Sequence, residues 1–171
     1  MASLIETLID VLEKENTEYE GLTELSESKT SAIVKGDVNK LQEILGQEQA
    51  FIDNINELDA KREENVRDIC DVLNLPKEGM KIDNIVDLLS KQPKEQAALE
   101  DVHLRLKRTL NRLMKINENN KMLLQESMDM IDFELNLARN SVVAPQTGNY
   151  SRGAYEQRNT YPAAGGFDAK Q

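Results

Sequence analysis

From Leu99 to Arg139 the chain has neither Gly nor Pro. At about 1.5 Å rise per residue such a stretch predicts a helical rod of about 60 Å. A helix of that length restricts the fold to arrangements that give it long helical neighbours. Leu99, Val102, Leu106, Leu110 and Leu113 recur three and four apart and make one apolar stripe. Arg105, Lys107, Arg108, Arg112 and Lys115 surround that stripe. After Leu113 the pattern changes. One stripe runs through Leu124, Met128, Ile131 and Leu135, and a second through Ile116, Leu123, Met130 and Leu137. Two stripes are more apolar surface than one packing partner uses. Two readings follow: a helix buried on both sides, or a helix with one side in its own core and the other offered to a partner. Four Met residues lie in this part, and Met side chains adapt to varied neighbours.

Charge removes several function classes. The chain has 171 residues, a formal net charge of −10 and 4% aromatic residues. A surface so acidic repels nucleic acid and anionic membranes, and no dense basic run offsets it. No segment has the uninterrupted apolar run of a membrane helix, and the start lacks a signal peptide's basic and apolar regions. A soluble cytoplasmic protein is expected. Cys70 is the only Cys and His103 the only His, too few ligands for a conventional zinc site. Cys70 lies on the apolar side of a helix, with nothing nearby to activate a thiolate. His103 on a long helix suggests phosphotransfer, but the bulky Lys107 and Arg108 that follow would obstruct a docking partner. Neither a Glu-x-x-His pair nor a Gly-rich phosphate loop is present. The expectation is a non-enzymatic protein without cofactor or metal.

The remaining elements follow in order. Residues 3–34 predict a first helix with a seam through Ile5, Leu8, Leu12, Tyr19, Leu22 and Ile33, on which Glu15, Ser26 and Lys29 also fall. Gly36 suits a left-handed helix end and Asp37 an N-cap, so a tight antiparallel hairpin is expected. The second helix, 38–73, carries a heptad seam through Val38, Leu41, Leu45, Ile52, Ile55, Val66, Ile69 and Leu73. Its polar run, 59–65, predicts a thin, exposed coiled coil there. A short helix over 82–91 could cap the bundle, and Pro93 opens the long helix, 93–141. The fold class is all-α: an elongated antiparallel bundle or coiled coil of three long helices plus a short connecting helix. Residues 1–143 form the helical domain. Residues 144–171, rich in Gly, Pro and polar residues, are expected to be disordered when free, although Tyr150, Tyr155, Tyr161 and Phe167 lie there.

The run from Asn117 to Met128 resembles a helical Asn-x-x-Asn-x-x-Leu-Leu-x-x-Ser-Met/Leu pattern of the FlgN family of flagellar export chaperones. Asn117, Asn120, Leu123, Leu124, Ser127 and Met128 match it. Lys29 to Leu41 is similar to the family's first-hairpin turn, Glu48 to Ile55 to its second helix, and Tyr150 to Gly153 to a Tyr-x-x-Gly segment after the last helix. The resemblance extends to Gly153, and residues 155–171 carry no recognisable pattern. The resemblance implies a cytoplasmic chaperone that holds the terminal helical segment of hook-associated proteins, which form the hook–filament junction, and delivers it to the export gate. The substrate face would then comprise Ile116, Asn117, Asn120, Leu123, Leu124, Ser127, Met128, Met130, Ile131, Leu135 and Leu137. Tyr150, Gly153 and Tyr155 would dock on the cytoplasmic domain of the gate. No nucleic acid and no membrane insertion are implied, and a homodimer stays open. The alternative is a coiled-coil structural or adaptor protein that self-associates through the same helix.

Overall fold

The computed structural model describes residues 2–143, which form an all-helical bundle with no strand among the described residues. Helix α1 spans Ala2–Lys35, α2 Val38–Leu73, α3 Ile82–Leu88 and α4 Pro93–Val143. The stretch expected as one short helix over 82–91 is α-helical only to Leu88. Leu89–Lys91 is a single 3-10 turn that redirects the chain into Pro93. The chain divides into two compact units, Met1–Phe133 and Glu134–Gln171. The expected tail over 144–171 lies outside the described residues.

The α1–α2 turn forms as its residues require. Gly36 takes φ +65°, a conformation that favours glycine, and its N–H donates to the Ile33 carbonyl at 3.0 Å. The Asp37 carboxylate accepts from the Lys40 N–H at 3.0 Å, which caps α2. Cross-helix bonds give the directions within the first unit. Lys29 meets Glu48, Asn54 meets Glu18, and Arg62 meets Glu15, so α2 returns antiparallel along α1. Arg105 pairs with Glu13, Thr109 with Asn16 and Asn120 with Ser26, so α4 runs parallel to α1.

The main core sits where α1 begins, α2 ends, α3 turns and α4 begins. Ile5, Leu8 and Leu12 of α1 pack with Ile69, with Ile82, Ile85, Val86 and Leu89, and with Leu99, Val102 and Leu106. Cys70 is fully buried beside this core. A smaller cluster of Leu22, Ile55 and Leu113 follows, flanked by Tyr19 and Phe51. Gly21 belongs to this contact. A Cβ there would come within 2.5 Å of the Phe51 ring, so only glycine admits the aromatic so close to the α1 backbone.

Two expectations for α2 need correction. The seam buried against α1 in the first half of α2 passes through Ile44, Glu48, Phe51 and Ile55. Val38, Leu45 and Ile52, drawn on the predicted seam, are exposed. A heptad count locates an apolar stripe but not the neighbour it faces. Here two stripes overlap, and α1 takes the one containing Ile44. The polar run 59–65, expected as a thin, exposed coiled coil, is exposed only in part, at Ala60, Lys61, Glu63 and Glu64. Asn65 is buried, and Arg62 donates to the nearly buried Glu15 at 3.1 Å and also bonds Asp59. The charge that Glu15 places on the α1 seam is answered from α2.

Candidate helix-docking face

Within the first unit, α4 behaves as two different helices in sequence. Up to Leu113 its stripe is in the core: Leu99, Val102, Leu106 and Leu113 are buried and Leu110 half-buried. From Met114 to Phe133 the only buried residue is Asn120. Met114, Met122, Leu124, Met128, Met130, Ile131 and Phe133 are exposed, Met130 and Phe133 by 61% and 60%. Ile116 and Leu123 are half-buried. In the second unit Leu135 and Leu137 are exposed as well. Tyr150, Gly153 and Tyr155 lie outside the described residues.

Asn120 explains why α4 stays on α1 where its apolar contacts end. Its Nδ2 donates to the Ser26 carbonyl at 2.9 Å, and its Oδ1 accepts from the Thr30 hydroxyl at 2.5 Å. A buried side-chain amide with both ends bonded adds direction as well as energy. Asn120 therefore faces inward and positions the helix. Asn117 and Ser127 are exposed. The Ser127 hydroxyl donates to the Leu123 carbonyl one turn back, at 2.8 Å.

A groove of about 460 Å³ opens between α1, α2 and α4 beside this residue. Ile52 of α2 faces Leu124 and Met128 of α4 across it, and Leu22 lines it from α1. Asn117, Lys121 and Gln125 form its polar margin. The Lys29 ammonium and Glu48 carboxylate, 2.9 Å apart with side chains only 19% and 14% exposed, also line it. Such a pair is weak evidence for stability, since taking both charges from water offsets most of their attraction. It leaves a groove with apolar walls and one neutralised charge pair. Ile52 of α2, expected on the core seam, lines this groove instead, and its exposure is evident only once α1 is seen to take Ile44.

Elsewhere the titratable groups have structural explanations. Burial pushes the Glu15 carboxyl up, against the opposing pull of Arg62. Burial and then the nearby Glu15 raise the Tyr19 phenol. His103 is held below its ordinary value by burial first and by Lys107 next, although Asp83 sits 3.0 Å from its Nε2. A hydrogen bond from Lys107 lowers the Asp83 carboxyl most, with further help from His103. Among the described residues no group of three or more His, Cys, Asp or Glu side chains could hold a metal ion. No helix among them is long and apolar enough to cross a membrane.

The family model described as FlgN protein matches residues 1–158. No curated protein matches, and no solved structure matches.

Proposed function

This chain belongs to the FlgN family of flagellar chaperones, and on that premise we propose that it captures the terminal amphipathic helical segment of hook-associated proteins on the second half of α4. The observation that carries this reading is the run of exposed apolar side chains from Met114 to Phe133 in a chain with net charge −10. Isolated apolar side chains on a surface need no explanation, but so dense a run marks an interaction site. An amphipathic helix suits it because its own apolar stripe would fill the groove between Ile52, Leu124 and Met128.

In this reading Leu123, Leu124, Met128, Met130 and Ile131 contact the client, joined by Ile116, Leu135 and Leu137, with Asn117 and Ser127 at the margin. Asn120 acts through α4, by keeping it on α1. Ile52 forms the opposite wall. Residues 1–143 are the chaperone domain, an antiparallel bundle of three long helices, working in the cytoplasm without catalysis. The bound client is kept from associating early and is delivered to the export gate, which Tyr150, Gly153 and Tyr155 of the tail contact.

The test is a double substitution, Met128→Ser with Ile131→Ser, titrated by calorimetry against a client's terminal helical segment. Both side chains are exposed, so helicity should stay at the wild-type level. Burying such a side chain contributes about 1.5–3 kcal/mol, so affinity should fall at least about tenfold. Unchanged affinity would contradict the proposal. Tyr150→Ala should leave client affinity unchanged and weaken binding to the gate's cytoplasmic domain. If full-length and truncated chains bind the gate equally, the tail has no docking role.

A further inference from the structure

The groove between α1, α2 and α4 is apolar at both ends and polar in the middle. Leu22 and Ile52 line one end. Ser26 and the Lys29–Glu48 pair come next, since α2 runs antiparallel to α1 and Ile52 lies one turn beyond Glu48. Met128, two turns past the Asn120 that bonds Ser26, lines the other end, with Leu124 between. The polar groups in the middle are not used up. The Lys29 ammonium donates to Glu48 Oε1 at 3.1 Å and to Oε2 at 2.9 Å, which leaves a further N–H and further lone pairs for a ligand. Ser26 is 1% exposed, and its hydroxyl has no hydrogen-bond partner. Thr23, Ser28 and Thr30 on the same helix each donate to the carbonyl four residues back.

We propose that the client stripe is divided in the same way, with apolar residues at both ends of the groove and one uncharged amide side chain, Gln or Asn, between them. This deepens the client-capture reading above and rests on it. A helix laid on the groove takes Lys29 and Glu48, already only 19% and 14% exposed, out of contact with solvent. Opposite an apolar residue their remaining bonds go unmade, and a buried polar group without a partner is costly. A charged residue fits no better. A carboxylate competes with Glu48 for Lys29, an ammonium competes with Lys29 for Glu48, and either leaves an odd charge in a covered groove. An amide both donates and accepts. Its NH2 suits Glu48 and its oxygen suits Lys29 or Ser26, with no charge added. Lys121, the other charged residue of the lining, is exposed at the margin, where solvent screens it.

The experiment uses the full chain and fluorescence anisotropy with four labelled model helices. Each has a Leu stripe whose central residue is Gln, Leu, Glu or Lys, four residues that differ little in helix propensity. Burial alone favours Leu. The Gln helix should instead bind at least about tenfold more tightly than any of the other three. Lys29→Met with Glu48→Leu exchanges the ion pair for apolar packing, a change that folds tolerate. It should reverse the order, so that the Leu helix binds more tightly than the Gln helix. If that variant loses helicity, Ser26→Ala replaces it, and the advantage of Gln over Leu should fall by about threefold or more. Equal or tighter binding of the Leu, Glu or Lys helix by the wild-type chain overturns the proposal, and so does an order that these variants leave unchanged. Met128→Ser with Ile131→Ser separates the two readings. Four helices that bind the wild type equally, and that this variant weakens, overturn the amide and leave the docking face standing. If none binds, or none is weakened by this variant, the docking face falls and the amide site with it.

Discussion

The two halves of α4 within the first unit belong to one unbroken helix, yet one half is core and the other is surface. Residues 93–113 meet apolar partners on three other elements: Leu8 and Leu12 on α1, Ile69 on α2, and Ile85 on α3. Residues 114–133 meet mainly polar ones, with Asn120 bonded to Ser26 and Thr30. The difference therefore lies in the neighbours. Along α1 the inward residues change from the wholly apolar Ile5, Leu8 and Leu12 to a mixed set in which Glu15, Asn16, Thr23 and Ser26 alternate with Leu22, Ala32 and Ile33. A helix with such a mixed seam offers a second helix less apolar area than the start of α1 does, and the apolar side chains of α4 from Met114 to Phe133 stay exposed or half-buried. Under the proposed function, stability and recognition are divided along one helix, the first half serving the fold and the second the partner.

That division makes graded predictions. The largest effect belongs to the packed half. Leu99 is fully buried, and Leu99→Ala should cost about 2–5 kcal/mol in chemical denaturation, through lost burial and the cavity left behind. Met122→Ala, on the exposed half, should stay within about 0.5 kcal/mol. Comparable losses for both would erase the distinction. Next in size is Asn120→Ala, which leaves the Ser26 carbonyl and Thr30 hydroxyl without this partner and should cost about 1–3 kcal/mol. Its local effect is more telling: hydrogen exchange should quicken in residues 114–124 and stay unchanged in 99–113. Smallest is Glu15→Gln. Burial raises the folded-state pKa of Glu15 above the ordinary 4.5, so its contribution is fully present below 4.5 and is lost as pH rises through the raised value. Gln does not titrate. The stability of the variant relative to wild type should therefore improve as pH rises from below 4.5 to neutrality. A flat difference over that range would place the Glu15 carboxyl in water rather than in the bundle.

Much of this was legible in the residues themselves. The stripe from Leu99 to Leu113, the Gly36–Asp37 turn and the buried Cys70 follow from spacing and backbone preference, both local properties. What was not legible is cross-chain pairing. Arg62 makes the Glu15 position tolerable from 47 positions away, and no window of sequence contains both. The α2 seam was drawn through Leu45 where the structure buries Ile44, because adjacent apolar residues support two stripes equally until the neighbour is known. The second half of α4 read as two stripes, one of them suited to its own core. In the structure Leu124, Met128, Ile131 and Leu135, one of those stripes, are all exposed, and of the other only Ile116 and Leu123 are half-buried. Periodicity records which residues gain from burial but not what covers them. Asn120 was singled out by resemblance as part of a substrate face, and only its bonds to α1 reveal that it turns inward.

The central claim, that residues 114–133 of α4 are held open for a client helix, is tested most directly by hydrogen exchange on the full chain with and without a saturating client terminal segment. The account predicts new protection in 114–133 and in 48–52 of α2. Residues 93–113, already packed, should exchange at the same rate in both states. Protection that appears elsewhere while 114–133 exchanges unchanged would contradict it.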